Sequence, residues 1–382
     1  GNGSLRMVLM QVLWYVVGVI AIIVIMQFDS EQLWKLTTWG YILGLLLLLA
    51  VLFLYDRATF ADTGAKSWFR FGTFSFQPSE VVKIFYILIL AKVATSHNMK
   101  TKYKTRKTDW QLFVKLVLWA SPALVLVILQ NDLGTTLVFL MILGGIMIMS
   151  GISWKILLPI IITVILIGAL LIYLVVYNRH LLLNIGFKNY QFARIDSWLD
   201  PYRDQGGNGF QLFQSLKAIG SGRMFGKGFG VSDVYVPVRE SDLIFATIGE
   251  NFGFLGGTFL IAIYFILIYQ MIRVCFDTKN EFYTYIATGV IMMILFHVVE
   301  NIGMTIGLLP LTGIPLPFIS QGGSSLLGNM MGIGLIMSMR YHFKSTIFDD
   351  EEDAFGAKHQ DAAFGANQQD ATMLRLRQED GK

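Results

Sequence analysis

A carboxylate at the point where a long loop runs into an apolar helix is a candidate for proton transfer. Asp242 holds such a position in the run Ser241-Asp242-Leu243, just before an apolar stretch that begins near residue 245. A carboxylate there can act as a general base toward a hydroxyl group. Glu240 and Glu250 lie close enough along the chain to modulate its charge. The other interpretation, a simple helix N-cap, stays open at this level.

A second candidate group opens another apolar segment, where Gln77-Pro78-Ser79-Glu80 is followed by Lys83. Proline suits the first turn of a helix, and a glutamate in that turn lies at the positive end of the helix dipole. Glu80 and Lys83 are three residues apart, so they share a helix face and can pair. A structural ion pair, a pair that orients a catalytic group and a pair that lines a polar cavity all fit this pattern.

A third carboxylate lies in the turn Asn131-Asp132-Leu133-Gly134, between two apolar segments. An exposed carboxylate in an ordinary turn is one interpretation. The other places Asp132 in the interior beside Lys83. In that case we expect Glu80, Lys83 and Asp132 to form one polar network.

The fourth group is His297, Glu300 and Asn301, which share one face of a helix. Their spacing lacks the HExxH pattern of zinc proteases and favours an interhelical hydrogen-bonding cluster. A proline-rich run over 309–317 then forbids regular helix, and Ser320-Gln321-Gly322-Gly323-Ser324-Ser325 follows. Irregular backbone at membrane depth is tolerated where it is buried in protein or lines a cavity. Successive N–H groups at a helix start suit an anionic group such as a diphosphate.

The surrounding chain is strongly apolar, with 54% hydrophobic and 15% charged residues and a mean hydropathy of +0.58. Soluble domains are less apolar and carry about 25% charged residues. The single cysteine, Cys275, excludes an intramolecular disulfide and a cysteine-based metal site. A basic stripe with interleaved aromatic residues is lacking, so nucleic-acid binding has no support.

Nine segments are apolar enough for membrane helices: about 7–27, 36–54, 80–96, 111–130, 133–150, 155–177, 245–274, 283–309 and 324–340.

The sequence therefore predicts an all-α polytopic membrane protein. The basic run over 100–107 fixes that loop on the cytoplasmic side, which places the C-terminus inside and the long loop 179–244 outside. The same count puts the N-terminus outside, so we expect a tenth, first helix upstream; a genuine nine-helix protein is the alternative. Residues 1–348 are predicted to form the transmembrane domain, and the polar, repetitive stretch 349–382 a disordered cytoplasmic tail.

The long loop contains a glycine-dense run from Gly206 to Gly230 together with many apolar residues. Long loops in compact proteins are usually functional or disordered. Within it, Leu212, Leu216 and Ile219 have helical spacing, which predicts a short helix over 210–219.

Five spaced motifs resemble the SEDS family (shape, elongation, division and sporulation proteins), and the likeness is collinear from about residue 7 to 343. They are Gly64–Trp68 with Phe76–Glu80 and Lys83, Asp132–Thr135, Gln214–Ser215 with Ala218–Gly222, Gly226–Gly228, and Asn301–Met304 through Gly323–Ser325. The run Gly313–Phe318 is similar to RodA-type members. This chain departs from the family pattern at Val238, Asn251, Gln321 and Ser67.

The resemblance implies a ten-helix fold and glycosyl transfer on lipid II in the bacterial plasma membrane, for cell elongation and shape. It also implies a divalent cation, Mg or Mn, and a class B penicillin-binding protein as partner. It implies that Asp242 is the catalytic residue, and Asp242 is also a candidate metal ligand. We expect substrate binding or cavity lining from Glu80, Lys83, Asp132, Gln214, Ser215, Lys217, Glu250, Ser320, Gly322, Gly323 and Ser324. A lipid II flippase, a transporter without chemistry, is the alternative function.

Overall fold

The computed structural model describes residues 2–72, 74–185, 189–203 and 209–343. Part of the glycine-dense run and the predicted tail 349–382 lie outside the described residues. The helices are α1 Asn2–Met26, α2 Ser30–Leu54, α3 Arg57–Thr63, α4 Pro78–Lys100, α5 Arg106–Leu129, α6 Leu133–Met149, α7 Trp154–Tyr177, α8 Arg179–Ile185, α9 Asn189–Leu199, α10 Phe210–Gly222, α11 Ile244–Asp277, α12 Glu281–Thr305 and α13 over 323–343.

The predicted class, an all-α polytopic membrane protein, is confirmed. Six described helices are long and apolar enough to cross a membrane, namely α1 from Leu5 onward, α2, α5, α7, α11 and α12. The shorter α6 has 17 residues, below the length of a full span. The number of nine spans, and the tenth helix expected upstream, remain predictions.

A small β-hairpin was not predicted from the sequence. Strands β1 (Phe69–Phe71) and β2 (Phe74–Phe76) pair antiparallel in a small hairpin, with Phe69 opposite Phe76. The hairpin precedes α4, and the ring of Phe74 stacks on Trp14 of α1 with centroids 4.6 Å apart. It thus ties the entrance of α4 to the first helix.

The buried centre of the bundle is formed by α4 and α12, which pack against each other and against α6. Buried apolar side chains from both helices make up this core, including Val82, Ile87, Leu90, Val290 and Ile294. The helices approach closely at Gly289, where an added Cβ would lie 2.6 Å from Ile87. Such packing excludes water, so a polar group in this centre requires a partner from a neighbouring helix.

Local sequence sets the helix starts that matter for the site. Pro78 is in the first turn of α4, where its missing N–H is not needed. The Asp132 side chain caps α6 by accepting a hydrogen bond from the Thr135 N–H. The long α11 is kinked at Gly253, whose φ of 65° and ψ of −160° are non-helical and suit glycine alone.

Candidate active site

Asp242 is held by its backbone at the end of the loop that precedes α11. Asn301 on α12 is fully buried, and its Nδ2 donates to the carbonyl of Asp242 at 2.7 Å and to that of Ile314 at 2.8 Å. One amide thus joins the loop before α11 to the irregular segment after α12. The Asp242 side chain is left free of this interaction.

The two preceding carbonyls are bonded in the same way. The Ser320 hydroxyl donates to the carbonyl of Ser241 at 2.6 Å and accepts from the Leu316 N–H at 2.8 Å. The Gln321 N–H donates to the carbonyl of Glu240 at 2.8 Å. Three consecutive carbonyls, those of residues 240–242, are therefore fixed by side chains or backbone of distant segments.

The Asp242 carboxyl is partly buried beside Gly313. A Cβ built on Gly313 would lie 3.3 Å from Asp242 Oδ2, and Gly313 itself has a φ of 80°. Burial raises the pKa of Asp242 to about 6, against the opposing effect of a hydrogen bond from the Ser241 side chain. No cation of the described residues lies within ion-pair distance of this carboxyl. A carboxylate with such a pKa is suited to accept a proton near neutral pH.

Glu250 anchors the loop that leads to Asp242. Its side chain is 0% exposed, and Oε1 accepts from Lys227 Nζ at 3.1 Å and from the N–H groups of Asp233 and Val234 at 3.2 and 3.1 Å. Arg239 lies 3.6 Å from the other oxygen. These bonds account for the burial of Glu250, which is committed to the loop and does not contact Asp242 in the described hydrogen bonds.

A second charged cluster lies inside the bundle. Lys83 Nζ on α4 is 2.7 Å from Glu80 Oε2 and 3.2 Å from His297 Nε2 on α12. The other ring nitrogen of His297, Nδ1, lies 2.6 Å from the Met293 carbonyl, which can only accept. Nδ1 therefore carries the proton and Nε2 accepts from the ammonium group. Lys83 is 1% exposed and Glu80 4%, so the pair is closed to solvent.

The predicted contact between Asp132 and Lys83 is wrong. The Asp132 carboxyl caps α6 and accepts from Gln77 Nε2 at 2.8 Å. The Gln77 backbone N–H in turn donates to the Ser324 hydroxyl at 3.0 Å. Asp132 does not reach Lys83 because it precedes the first turn of α6, beside the start of α4. Lys83 lies a turn deeper in the bundle and already has two partners.

The remaining predicted site residues lie in different surroundings. The Glu300 carboxylate accepts from the Thr312 hydroxyl at 2.9 Å, and the Ser215 hydroxyl donates to the Thr305 carbonyl at 2.7 Å. On α10, Gln214 is partly exposed and Lys217 exposed. The structure thus brings together Asp242 with Asn301 and Ser320, Glu80 with Lys83 and His297, and Asp132 with Gln77 and Ser324.

Gly322 and Gly323 precede and open α13, where N–H groups were expected to bind an anion. Trp14 of α1 lies directly against Gly323, so that a Cβ there would be 1.8 Å from the indole ring. Gly322 is partly exposed, and a Cβ there would make an ordinary van der Waals contact with the Ser325 side chain at 3.9 Å. Access to this helix start is therefore restricted on the α1 side.

Residues 1–345 match the model of a family described as cell cycle proteins and named for FtsW, RodA and SpoVE. The chain belongs to this family. Stage V sporulation protein E of Bacillus subtilis is 34% identical over 339 residues, which cover 86% of this chain and 85% of that protein. Peptidoglycan glycosyltransferase MrdB of Escherichia coli K12 is 33% identical over 333 residues, covering 86% and 84%. The resemblance to the SEDS family is thereby confirmed.

Two solved structures share the fold of this SEDS chain. The rod shape determining protein RodA of Thermus thermophilus has a TM-score of 0.59 and 26% identity, over 86% of each chain. A chain from a peptidoglycan synthase complex, studied for the coordination of polymerization and crosslinking, has a TM-score of 0.74 and 24% identity, over 90% of this chain and 92% of that one. The latter likeness shows the fold alone.

Sequence reasoning missed several residues that position the site of this SEDS protein. Gln77 was noted within a motif without its contact to Asp132, and Lys227 and Arg239 were not connected with Glu250. The buried carboxylate at position 250, inside a predicted apolar helix, was a usable signal, because it requires cationic or N–H partners. Trp14 gave no signal, since its neighbour Gly323 is about 300 residues away in the chain.

The divalent cation expected for the SEDS family has a limited set of candidate ligands. In the part of the chain that the structure describes, no three or more His, Cys, Asp or Glu side chains are grouped to hold a metal ion. Mg²⁺ at phosphate-handling sites is held by one or two carboxylates together with substrate phosphates. Asp242 offers one such carboxylate, which is partly exposed and has no ion-pair partner within the described part of the chain. The residues fit an ion that binds together with a diphosphate.

Proposed function

We propose that this SEDS chain is a peptidoglycan glycosyltransferase that polymerises lipid II at the outer face of the bacterial plasma membrane, with Asp242 as general base. The observation that carries the proposal is the Asp242 carboxyl, which has a pKa of about 6 and is fixed through the backbone at the end of a loop. The names of two relatives, MrdB and FtsW, as established or probable peptidoglycan glycosyltransferases support the reaction class.

The reaction is an inverting transfer. The 4-hydroxyl of an acceptor lipid II attacks the anomeric carbon of the growing strand, and a new C–O bond forms as the bond to the diphosphate breaks. Asp242 takes the hydroxyl proton, and undecaprenyl diphosphate leaves with the electron pair. The fixed carbonyls of residues 240–242 hold the base, and no cation of the described residues lies within ion-pair distance of its carboxyl. Such positioning accounts for a large part of catalysis in transfers of this kind.

The leaving diphosphate requires positive charge or N–H donors. The start of α13 belongs to the same hydrogen-bonded unit as Asp242, through the bond from Gln321 to Glu240. The N–H groups of Gly322 and Ser324 are therefore candidate donors. A divalent cation bound by Asp242 and the diphosphate would neutralise part of the developing charge.

The proposal includes a partner and an orientation. A class B penicillin-binding protein would crosslink the product, in line with the fold shared with a chain of a peptidoglycan synthase complex. The cytoplasmic placement of the basic run 100–107 puts Asp242 and its loop on the outer side, where lipid-linked strands are extended.

The test is polymerisation of labelled lipid II by the purified protein with its partner. Asp242→Asn keeps the shape and removes the basicity, so glycan product should fall at least about a hundredfold. Glu240→Gln is the matched control, because this neighbouring carboxylate is exposed and only its backbone is bonded. The control should stay within about threefold of the wild type, which equals about 0.7 kcal/mol.

Near wild-type polymerisation by Asp242→Asn would show that the base is another group. Equal losses in both variants would attribute the effect to the total charge of the loop. If the wild-type protein moved lipid II across vesicles and made no glycan, the flippase function would replace the transferase.

A further inference from the structure

The kink in α11 releases backbone groups that the extracellular loop binds. At Gly253 the helix changes direction, and the N–H groups of Phe254 and Leu255 donate to the carbonyls of Arg223 and Met224 at 2.9 and 3.1 Å. In the opposite direction, the N–H groups of residues 227 and 228 donate to the carbonyls of residues 250 and 251 at 3.0 and 3.1 Å. The segment 223–228 is thus bound by four hydrogen bonds to α11.

Glycines allow this close approach. A Cβ on Gly226 would lie 2.1 Å from the Asn251 carbonyl oxygen, and a Cβ on Gly253 would lie 2.4 Å from the Gly226 nitrogen. Both glycines have a positive φ, of 79° and 65°. The loop segment is therefore fixed at one position along the axis of α11.

The length of α11 indicates where this position lies relative to the membrane. The 34 residues of α11 are longer than the roughly 20 residues that span a hydrocarbon core of about 30 Å. Counted from Arg273 at the predicted cytoplasmic end, the outer boundary of the core falls near Phe254. The kink and the segment bound to it accordingly lie at the level of the outer lipid head groups.

The segment presents apolar side chains at this level. Phe225 is 79% exposed and Phe229 88%, while Met224 beside them is also exposed. Phe252 and Phe254 of α11 are exposed on either side of the kink, and the rings of Phe229 and Phe252 are 6.2 Å apart. This surface continues directly into the exposed apolar side chains of the membrane-spanning part of α11, such as Phe259 and Phe265. Arg223 is exposed next to it.

We propose that Met224, Phe225, Phe229, Phe252 and Phe254 form an interfacial anchor that docks the loop on the outer leaflet of the membrane. Exposed aromatic side chains at head-group level are typical of membrane interfaces, and an adjacent arginine suits lipid phosphates. The continuity with the lipid-facing side of α11 identifies the occupant as lipid. The inference rests on the proposed function in one respect: the anchor keeps the loop that ends at Asp242 next to a substrate that is itself held in the membrane.

The single cysteine makes a direct test practical. After Cys275→Ala, single cysteines at Phe225 and Phe229 would receive spin labels, and the full chain would be placed in lipid nanodiscs. Collisions with oxygen, which enriches in lipid, are compared with collisions with a water-soluble nickel chelate. A label at Phe265 is the control for the lipid core, and a label at the exposed Tyr235 is the control for water.

Labels at both test positions should collide more often with oxygen than with the nickel chelate, as the Phe265 label does. A profile like that of Tyr235 would overturn the anchor. Labels that are water-exposed in the protein alone, and become protected only when the extracellular domain of a class B penicillin-binding protein is added, would instead assign the surface to that partner. The measurement does not depend on glycan synthesis, so its outcome is separate from that of the Asp242→Asn experiment.

Discussion

Two charged regions of this protein differ in how their carboxylates are satisfied. Inside the bundle, Glu80 is paired with Lys83 at 2.7 Å, and Lys83 also contacts His297. At the end of the long loop, no cation of the described residues pairs with Asp242. Its carboxyl accepts a hydrogen bond from the Ser241 side chain, while Asn301 and Ser320 bond to backbone carbonyls. The first arrangement neutralises charge within the fold. The second keeps a carboxylate available for a proton.

The difference separates the roles of two sets of polar residues that look alike in the sequence. Removing one member of a buried ion pair leaves the other charge buried without a partner, which destabilises the fold. The Glu80–Lys83 pair is therefore expected to stabilise the helix bundle. The raised pKa of the Asp242 carboxyl means that the folded state carries an unfavourable negative charge there at neutral pH. Such local destabilisation is expected at a catalytic group.

The largest effect on stability is expected from Lys83→Met. The change leaves Glu80 charged and unpaired in the interior and removes the donor to His297, at a cost of about 3–5 kcal/mol. The matched control is Lys35→Met, because Lys35 and Glu31 form a comparable pair at 3.0 Å on the surface, with side chains 72% and 77% exposed. Thermal unfolding in detergent should show a change of at most about 1 kcal/mol for the control. Equal shifts in the two variants would contradict the structural role of the interior pair.

Asp242→Asn should move stability in the opposite direction while it abolishes activity. The pKa of Asp242 in the folded protein, about 6, lies above the ordinary value of 3.8. A raised carboxyl pKa contributes stability below the unfolded pKa, and this contribution is lost as pH rises through 6. At pH 8 the variant should therefore be more stable than the wild type, by up to about 3 kcal/mol.

The check is the difference in unfolding temperature between the two proteins from pH 8 down to pH 4. The advantage of Asp242→Asn should shrink over this range, because the wild-type carboxyl becomes protonated. In the wild type, polymerisation should fall about tenfold per pH unit below 6, since the base is lost. A constant stability difference at all pH values would show that the carboxyl is not strained by its burial.

Local patterns in the sequence predicted local structure well. Contacts between residues far apart in the chain could not be predicted from them. The Glu80–Lys83 pair follows from helical spacing, and the helix at 210–222 follows from Leu212 and Leu216. The membrane class follows from the length of apolar segments, since only helices satisfy their backbone within lipid. By contrast, Asn301 meets Asp242 across 59 residues and Gln77 meets Asp132 across 55. A single sequence contains no signal for such pairs, which depend on the packing of α4, α6 and α12.

Glu250→Gln tests whether Glu250 affects catalysis by holding the loop that positions Asp242. The change removes the charge that binds Lys227 and weakens the bonds from the N–H groups of Asp233 and Val234. Hydrogen bonds to a charged group contribute about 1.5–3 kcal/mol, so faster hydrogen exchange in residues 227–239 and about a tenfold lower kcat are expected. The acid limb of the pH profile should keep its midpoint near 6, set by Asp242. A shifted midpoint would show that Glu250 shares the proton, as its closeness in sequence to Asp242 first indicated.

The smallest effect concerns Asp132, for which the sequence left open a contact with Lys83 and which the structure places with Gln77. Asp132→Ala removes the cap of α6 and should reduce stability by about 1 kcal/mol. Because Asp132 and Lys83 have no partner in common among the described hydrogen bonds, combining Asp132→Ala with Lys83→Met should give additive losses within about 0.5 kcal/mol. Combining Asp132→Ala with Gln77→Leu should fall short of additivity, since both changes remove the same 2.8 Å bond. Unfolding of the three single and two double variants decides between the two arrangements. Strong coupling to Lys83 and none to Gln77 would restore the single network of Glu80, Lys83 and Asp132. The Glu80–Lys83 pair would then no longer be separate from the Asp132–Gln77 contact.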